Sequence, residues 1–109
     1  MTVTEPYPLA AVTASKPDAP LEYEKLAEAH AEKVLDAVSV AARQAGVTCE
    51  TLRMEHAQVY QAIIDAASAR GCDLIVMASH GRRGVSAVVL GSETVKVLTH
   101  SKIPVLVYR

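Results

Sequence analysis

The sequence has no Trp, no Phe and only four Tyr, although half of its 109 residues are apolar. Counting along the chain gives 18 Ala and 15 Val, so small and β-branched side chains have to form the core. Such residues suit helices that lie close to a parallel sheet, whose strands are buried on both faces. The apolar content excludes a disordered chain, which combines few apolar residues with a large net charge. We expect a single domain over residues 1–109.

Features of several other protein classes are also missing. With 11 basic and 12 acidic residues the formal charge is −1, so no overall field attracts nucleic acid or an anionic membrane. There is no apolar run of membrane-spanning length and no basic stretch followed by an apolar one at the N-terminus, as in a secretory signal. Cys49 and Cys72 lack the spacing of a metal or redox motif, and Cys49 is interpreted as a small buried hydrophobe. We therefore expect a cytoplasmic protein without nucleic-acid or membrane partners.

Strand-like and helix-like segments alternate along the chain, which is typical of a parallel α/β sheet. The order is βαβαβαβ, with strands predicted at 1–5, 47–54, 74–78 and 103–108 and helices at about 20–45, 57–69 and 92–100. The continuous apolar run at 74–78 predicts a central strand covered on both faces. Gly46 and Gly71 are predicted to end the first two helices as left-handed C-caps. Residues 9–20 are predicted to form a mobile loop, long for a compact domain.

The densest chemical signal is the segment ASHGRRG at 78–84, followed after six residues by Gly91 and Ser92. It joins the C-terminal end of the apolar strand to a helix, which is where open α/β sheets bind ligands. Glycines let the backbone approach an oxygen-rich ligand, and a helix N-terminus favours an anion. Arg82 and Arg83 can add charge-assisted donors. The alternative is that the glycines only form a turn, Ser92 only caps the helix, and the arginines are solvated.

The same residues carry a family resemblance. The segment 74–109 is similar to the C-terminal third of universal stress proteins of the UspA type, and the helices and strand at 21–69 match that family's order more loosely. Residues 1–6 resemble the family's second strand. Members that bind ATP carry a signature of Gly, two residues, Gly, nine residues, Gly and then Ser or Thr. Gly81, Gly91 and Ser92 fit this signature, whereas Ala78 stands in place of the first glycine.

The resemblance implies a flavodoxin-like, Rossmann-related open parallel sheet with flanking helices, commonly in a homodimer. Some members bind ATP and some do not. In those that do, the loop after the strand wraps the ribose and phosphates, so Gly81, Gly91 and Ser92 would hold phosphate oxygens, while the backbone of Val3 would contact adenine. Met77, which is otherwise interpreted as a core residue, lies beside the loop. The predicted nucleotide-binding residues are Val3, Met77, Ala78, Gly81, Arg82, Arg83, Gly91, Ser92 and Glu93.

Three departures from the family pattern bear on this site. Ala78 adds a methyl group where the backbone should approach the ligand. Glu93 puts negative charge in the helix's first turn, which suits the helix dipole but not a phosphate, unless Mg²⁺ or Mn²⁺ intervenes. Nothing here matches the family's first strand and helix, which include an Asp used in nucleotide binding. We therefore expect either a chain truncated at its N-terminus or a partner that supplies the missing part. The adenine pocket should then be incomplete, and the domain should depend on association through unpaired strand edges.

The leading hypothesis is a universal stress protein-like module that acts in stress response through ATP binding and homo-association, in a homodimer or a larger assembly. The alternative is a dimerisation or regulatory module that no longer binds nucleotide. The third is a slow ATPase, which has less support because the sequence shows no general base or metal-ligand set, so no catalytic residue is predicted. Val105 and Val107 either face a partner across the last strand or pack inward.

Overall fold

The computed structural model describes residues 1–6, 19–79 and 90–108. Its elements are β1 (Thr2–Thr4), α1 (Ala19–Gln44), β2 (Arg53–Glu55), α2 (Val59–Ala69), β3 (Ile75–Ala78), α3 (Ser92–His100) and β4 (Val105–Tyr108). The predicted βαβαβαβ order is confirmed, as is the α/β class with parallel strands and flanking helices. Most of the predicted loop at 9–20 lies outside the described residues. Within the described ranges, no helix is long and apolar enough to cross a membrane.

The chain divides into two compact units, Met1–Ala57 and Gln58–Arg109, and each unit contains one two-stranded parallel sheet. In the N-terminal unit β1 pairs with β2, and Val3 lies opposite Met54. The Tyr23 hydroxyl donates to the carbonyl oxygen of Glu5 at 2.7 Å, which joins the start of α1 to the segment after β1. The single domain expected over residues 1–109 stays a prediction.

The second strand is shorter than predicted. Its expected span was 47–54, but β2 contains only Arg53–Glu55. β1 offers three residues for pairing, and the carbonyl oxygen of Leu52, just before β2, accepts a hydrogen bond from the amide of Thr2. Alternating polarity alone does not make the rest of the segment a strand. The side chain of Cys49 in this segment is exposed, so its interpretation as a buried hydrophobe is wrong.

The C-terminal unit has a core of small and β-branched side chains, as the composition predicts. β3 and β4 pair in parallel, with Ile75 opposite Val105. Ala67 from α2, Ile75 from β3 and Val97 from α3 form a buried cluster. Partly buried apolar residues surround it: Tyr60, Ile63, Met77, Ile103 and Val105. One face of the sheet is therefore covered by α2 and α3.

The strands of this sheet also carry apolar side chains on the face opposite α2 and α3. Successive side chains of a strand point to opposite faces, so Val76, Leu106 and Tyr108 lie opposite the core. Their exposed fractions are 56%, 55% and 57%. Within the C-terminal unit, α2 and α3 cover one of the two faces that the apolar run at 74–78 is expected to bury, and coverage of the other face stays a prediction. An apolar run shows that a strand suits burial, but it does not show what element covers each face.

Two predicted helix ends are confirmed by glycines in the left-handed region. Gly46 has φ +70° and Gly71 has φ +64°. At the end of α2, the Gly71 amide donates to the Ser68 carbonyl and the Cys72 amide to the Ala67 carbonyl, which is the hydrogen-bond pattern of a Schellman motif. α2 begins at Val59, two residues later than predicted, because Gln58 is extended.

A buried hydroxyl joins α3 to the end of β3. Thr94, in the first turn of α3, is only 3% exposed. Its Oγ1 donates to the carbonyl oxygen of Ala78 at 3.0 Å and lies 3.4 Å from that of Ser79. A buried hydrogen bond of this kind stabilises the fold mainly because its loss leaves a carbonyl without a donor.

We predict that Thr94→Val lowers the free energy of unfolding by about 1–2 kcal/mol, because valine keeps the shape but not the donor. Thr99→Val is the matched control: Thr99 lies on the same helix, is exposed, and donates only to the carbonyl of Val95. The control should stay within about 0.5 kcal/mol of the parent. Urea unfolding followed by circular dichroism measures both changes, and equal effects would contradict this role for Thr94.

Candidate functional site

The structure brings together only part of the predicted site. Met77, Ala78, Gly91, Ser92 and Glu93 all lie in the C-terminal unit, at the end of β3 or the start of α3. Val3 lies in the N-terminal unit, half-buried within β1, and its predicted contact with adenine stays a prediction. Gly81, Arg82 and Arg83 lie outside the described residues.

The first turn of α3 is the most distinctive part of this site. Gly91 is its N-cap residue, and having no side chain it cannot accept a hydrogen bond from the helix. Helix geometry leaves the amides of Ser92, Glu93 and Thr94 without acceptors inside the helix. With Gly91 at φ −62° and ψ 151°, a conformation open to any residue, glycine is not required by the backbone. Glycine at this point puts no side chain beside the first amides of the helix.

Two hydrogen bonds hold this turn against the end of β3. The amide of Gly91 donates to the carbonyl oxygen of Ser79 at 2.6 Å, and Thr94 Oγ1 donates to the carbonyl oxygen of Ala78. Ser79 is itself buried, and its amide continues the sheet by donating to the carbonyl of Tyr108. Thr94 is not among the residues that the sequence predicts for this site. The available signal was a threonine three residues after the glycine, in the first turn of a helix that follows a strand.

The Glu93 side chain is engaged by two partners. Its Oε2 accepts a hydrogen bond from the amide of Tyr60 at 2.9 Å, in the first turn of α2. Its Oε1 lies 3.4 Å from Nζ of Lys96, one turn further along α3. The positive charge of Lys96 therefore balances part of the negative charge of Glu93. The Lys96 ammonium also lies 5.7 Å from the centre of the Tyr60 ring.

The remaining predicted residues of the C-terminal unit lie in β3 and β4. Met77 is half-buried and packs against the core cluster, in line with its interpretation as a core residue. Ala78 is exposed at the end of β3, with its carbonyl oxygen held by Thr94. Val105 also packs against the core cluster, which is the inward alternative, and Val107 is half-buried two residues along the strand. A dimer interface at Val105 and Val107 stays a prediction.

A metal ion and an anion would meet different ligands among the described residues. Across residues 1–6, 19–79 and 90–108 there is no group of three or more His, Cys, Asp or Glu that could hold a metal ion. A phosphate at the first turn of α3 would instead meet amide donors and the positive end of the helix dipole, with the Ser92 hydroxyl in the same turn.

Comparison with known proteins identifies the family. The model of the Universal stress protein family matches residues 1–109, and no curated protein matches the chain. Among solved structures, hypothetical protein MJ0577 superposes with a TM-score of 0.76 at 22% identity, covering 96% of this chain and 69% of its own. Hypothetical protein PH0823 gives 0.73 at 24% identity with the same coverage. At these identities the structures establish the fold, and the family match establishes that the chain belongs to the universal stress protein family.

Proposed function

We propose that this chain binds a nucleotide, ATP, with the phosphates at the first turn of α3. The observation that carries the proposal is the N-terminus of α3, which follows Gly91 at the C-terminal end of β3. Open α/β sheets bind ligands at this end of their strands. The donors are the amides of Ser92, Glu93 and Thr94 together with the Ser92 hydroxyl. The spacing of Gly81, Gly91 and Ser92 adds support, because it fits the signature of ATP-binding family members.

The other predicted contacts belong to the same proposal. Gly81 would hold phosphate oxygens beside Gly91, and Arg82 or Arg83 would add charge-assisted donors. Val3 would contact adenine through its backbone. Mg²⁺ or Mn²⁺ would accompany the phosphates. We propose a role in the stress response through binding and association in the cytoplasm, with ATP hydrolysis at most slow.

Association between copies is the second part of the proposal. The exposed face of the β3–β4 sheet presents Val76, Leu106 and Tyr108 side by side, and a contiguous apolar surface marks an interaction site. A homodimer or larger assembly would cover this face. If the nucleotide site is empty, association alone is the function, and the chain is a dimerisation or regulatory module. Static light scattering at micromolar concentration should give at least twice the 11.6 kDa chain mass. A monomer mass would contradict association.

The test of nucleotide binding is calorimetric titration of ATP with Mg²⁺ into the parent protein and into Gly91→Val. Because the backbone angles of Gly91 suit any residue, valine adds bulk at the site without backbone strain. We expect saturable binding in the parent and at least about tenfold weaker binding in the variant. Val97→Ala is the control for general loss of stability, since Val97 is fully buried on the same helix and its truncation costs about 1–3 kcal/mol. It should still bind ATP below its melting temperature.

Each result decides between the proposed functions. Binding that Gly91→Val weakens and Val97→Ala keeps supports the site at α3. No saturable binding by the parent at millimolar ATP refutes nucleotide binding and leaves the association module. Phosphate release measured in the same samples, above that of Gly91→Val, would instead establish a slow ATPase.

A further inference from the structure

The Glu93 carboxylate makes contacts within the protein that differ from those of a carboxylate that binds a ligand. It lies in the first turn of α3, yet its Oε2 accepts a hydrogen bond from the amide of Tyr60 in the first turn of α2. Its Oε1 pairs with Lys96. The carboxylate is thus shared between the N-terminal ends of two helices, where helix dipoles favour negative charge.

The amide of Tyr60 has no acceptor within its own helix. The first amides of an α-helix lack intrahelical acceptors and are usually satisfied by the side chain of the N-cap residue. In α2 that residue is Gln58, and its side chain makes no capping hydrogen bond. Glu93 supplies the missing acceptor from a different helix. α2 and α3 are therefore joined at their N-terminal ends by one carboxylate.

We infer that Glu93 is a positioning residue for the phosphate site, and that its side chain is not the ligand of a phosphate-bound cation. By capping α2, the carboxylate fixes the first turn of α3, whose amides face the phosphate in the proposed function on which this inference rests. The backbone amide of Glu93 remains one of those donors. Lys96, held between Glu93 and the Tyr60 ring, keeps the carboxylate turned toward α2.

Two substitutions distinguish the hydrogen-bond acceptor of the Glu93 side chain from its negative charge. Glu93→Gln keeps an oxygen that can accept from Tyr60 but removes the negative charge. Glu93→Ala removes both. A carboxylate that acts as a cap is largely replaced by glutamine, since a neutral oxygen can accept the same hydrogen bond. A carboxylate that binds Mg²⁺ is not, because Mg²⁺ sites rely on carboxylates and phosphates. Glu28→Ala, which removes an exposed glutamate from α1, is the control.

The first measurement is thermal unfolding without ligand. We expect Glu93→Ala to lower Tm by about 4–8 °C, Glu93→Gln to restore most of that loss, and Glu28→Ala to stay close to the parent. If Glu93→Gln is as unstable as Glu93→Ala, or if Glu93→Ala is as stable as the parent, the capping role is overturned. This comparison tests the capping role of Glu93 even if the parent protein does not bind ATP. A failure to bind ATP would refute the proposed function but not the capping role.

The second measurement is the Kd of ATP with Mg²⁺ and with EDTA for each variant. We expect Glu93→Ala to bind about tenfold more weakly in both conditions and Glu93→Gln to bind within about threefold of the parent, with the same ratio of the two Kd values. A Glu93→Gln protein that binds normally in EDTA but has lost the gain from Mg²⁺ would show that the side chain is a cation ligand. That result overturns the inference while upholding the nucleotide site.

Discussion

The attachment of the first turn of α3 to the end of β3 is the constraint on which the candidate site depends. The Gly91 amide and the Thr94 hydroxyl donate to the carbonyl oxygens of Ser79 and Ala78, two successive residues at the strand's end. These bonds fix the helix start where a parallel sheet presents its ligand-binding edge. The first amides of α3 are therefore held in place by the fold, so that the nucleotide binding proposed here would have less ordering to offset.

The small core makes this arrangement possible. α2 buries Ala62, Ala66 and Ala67, and Ala67 packs with the fully buried Val97 of α3. Alanines let two helices approach closely, and the approach brings Glu93 within hydrogen-bond distance of the Tyr60 amide. A core with larger aromatic residues would separate the helices and lose that contact. The shortage of aromatic residues in the sequence thus bears directly on how the site is held.

The sequence was most informative where a residue acts through its own backbone. Gly46 and Gly71 indicated helix ends correctly, because the left-handed conformation favours glycine whatever surrounds it. The start of α3 at Ser92 was also predictable, directly after a glycine. Tertiary partners were not predictable: the exposure of Val76 depends on what covers the sheet, and the direction of the Glu93 carboxylate depends on how α2 packs against α3. The role of Thr94 likewise depends on which carbonyl oxygens lie within hydrogen-bond distance of its hydroxyl.

The most direct test of the central claim is to follow the backbone amides of ¹⁵N-labelled protein by NMR as ATP is added. If the phosphates bind at the first turn of α3, the resonances of Ser92, Glu93 and Thr94 should shift most among the described residues and saturate together. Those of Val95 and Lys96, whose amides bond within the helix, should move less. Saturable ATP binding that leaves the Ser92, Glu93 and Thr94 resonances in place would contradict the claim.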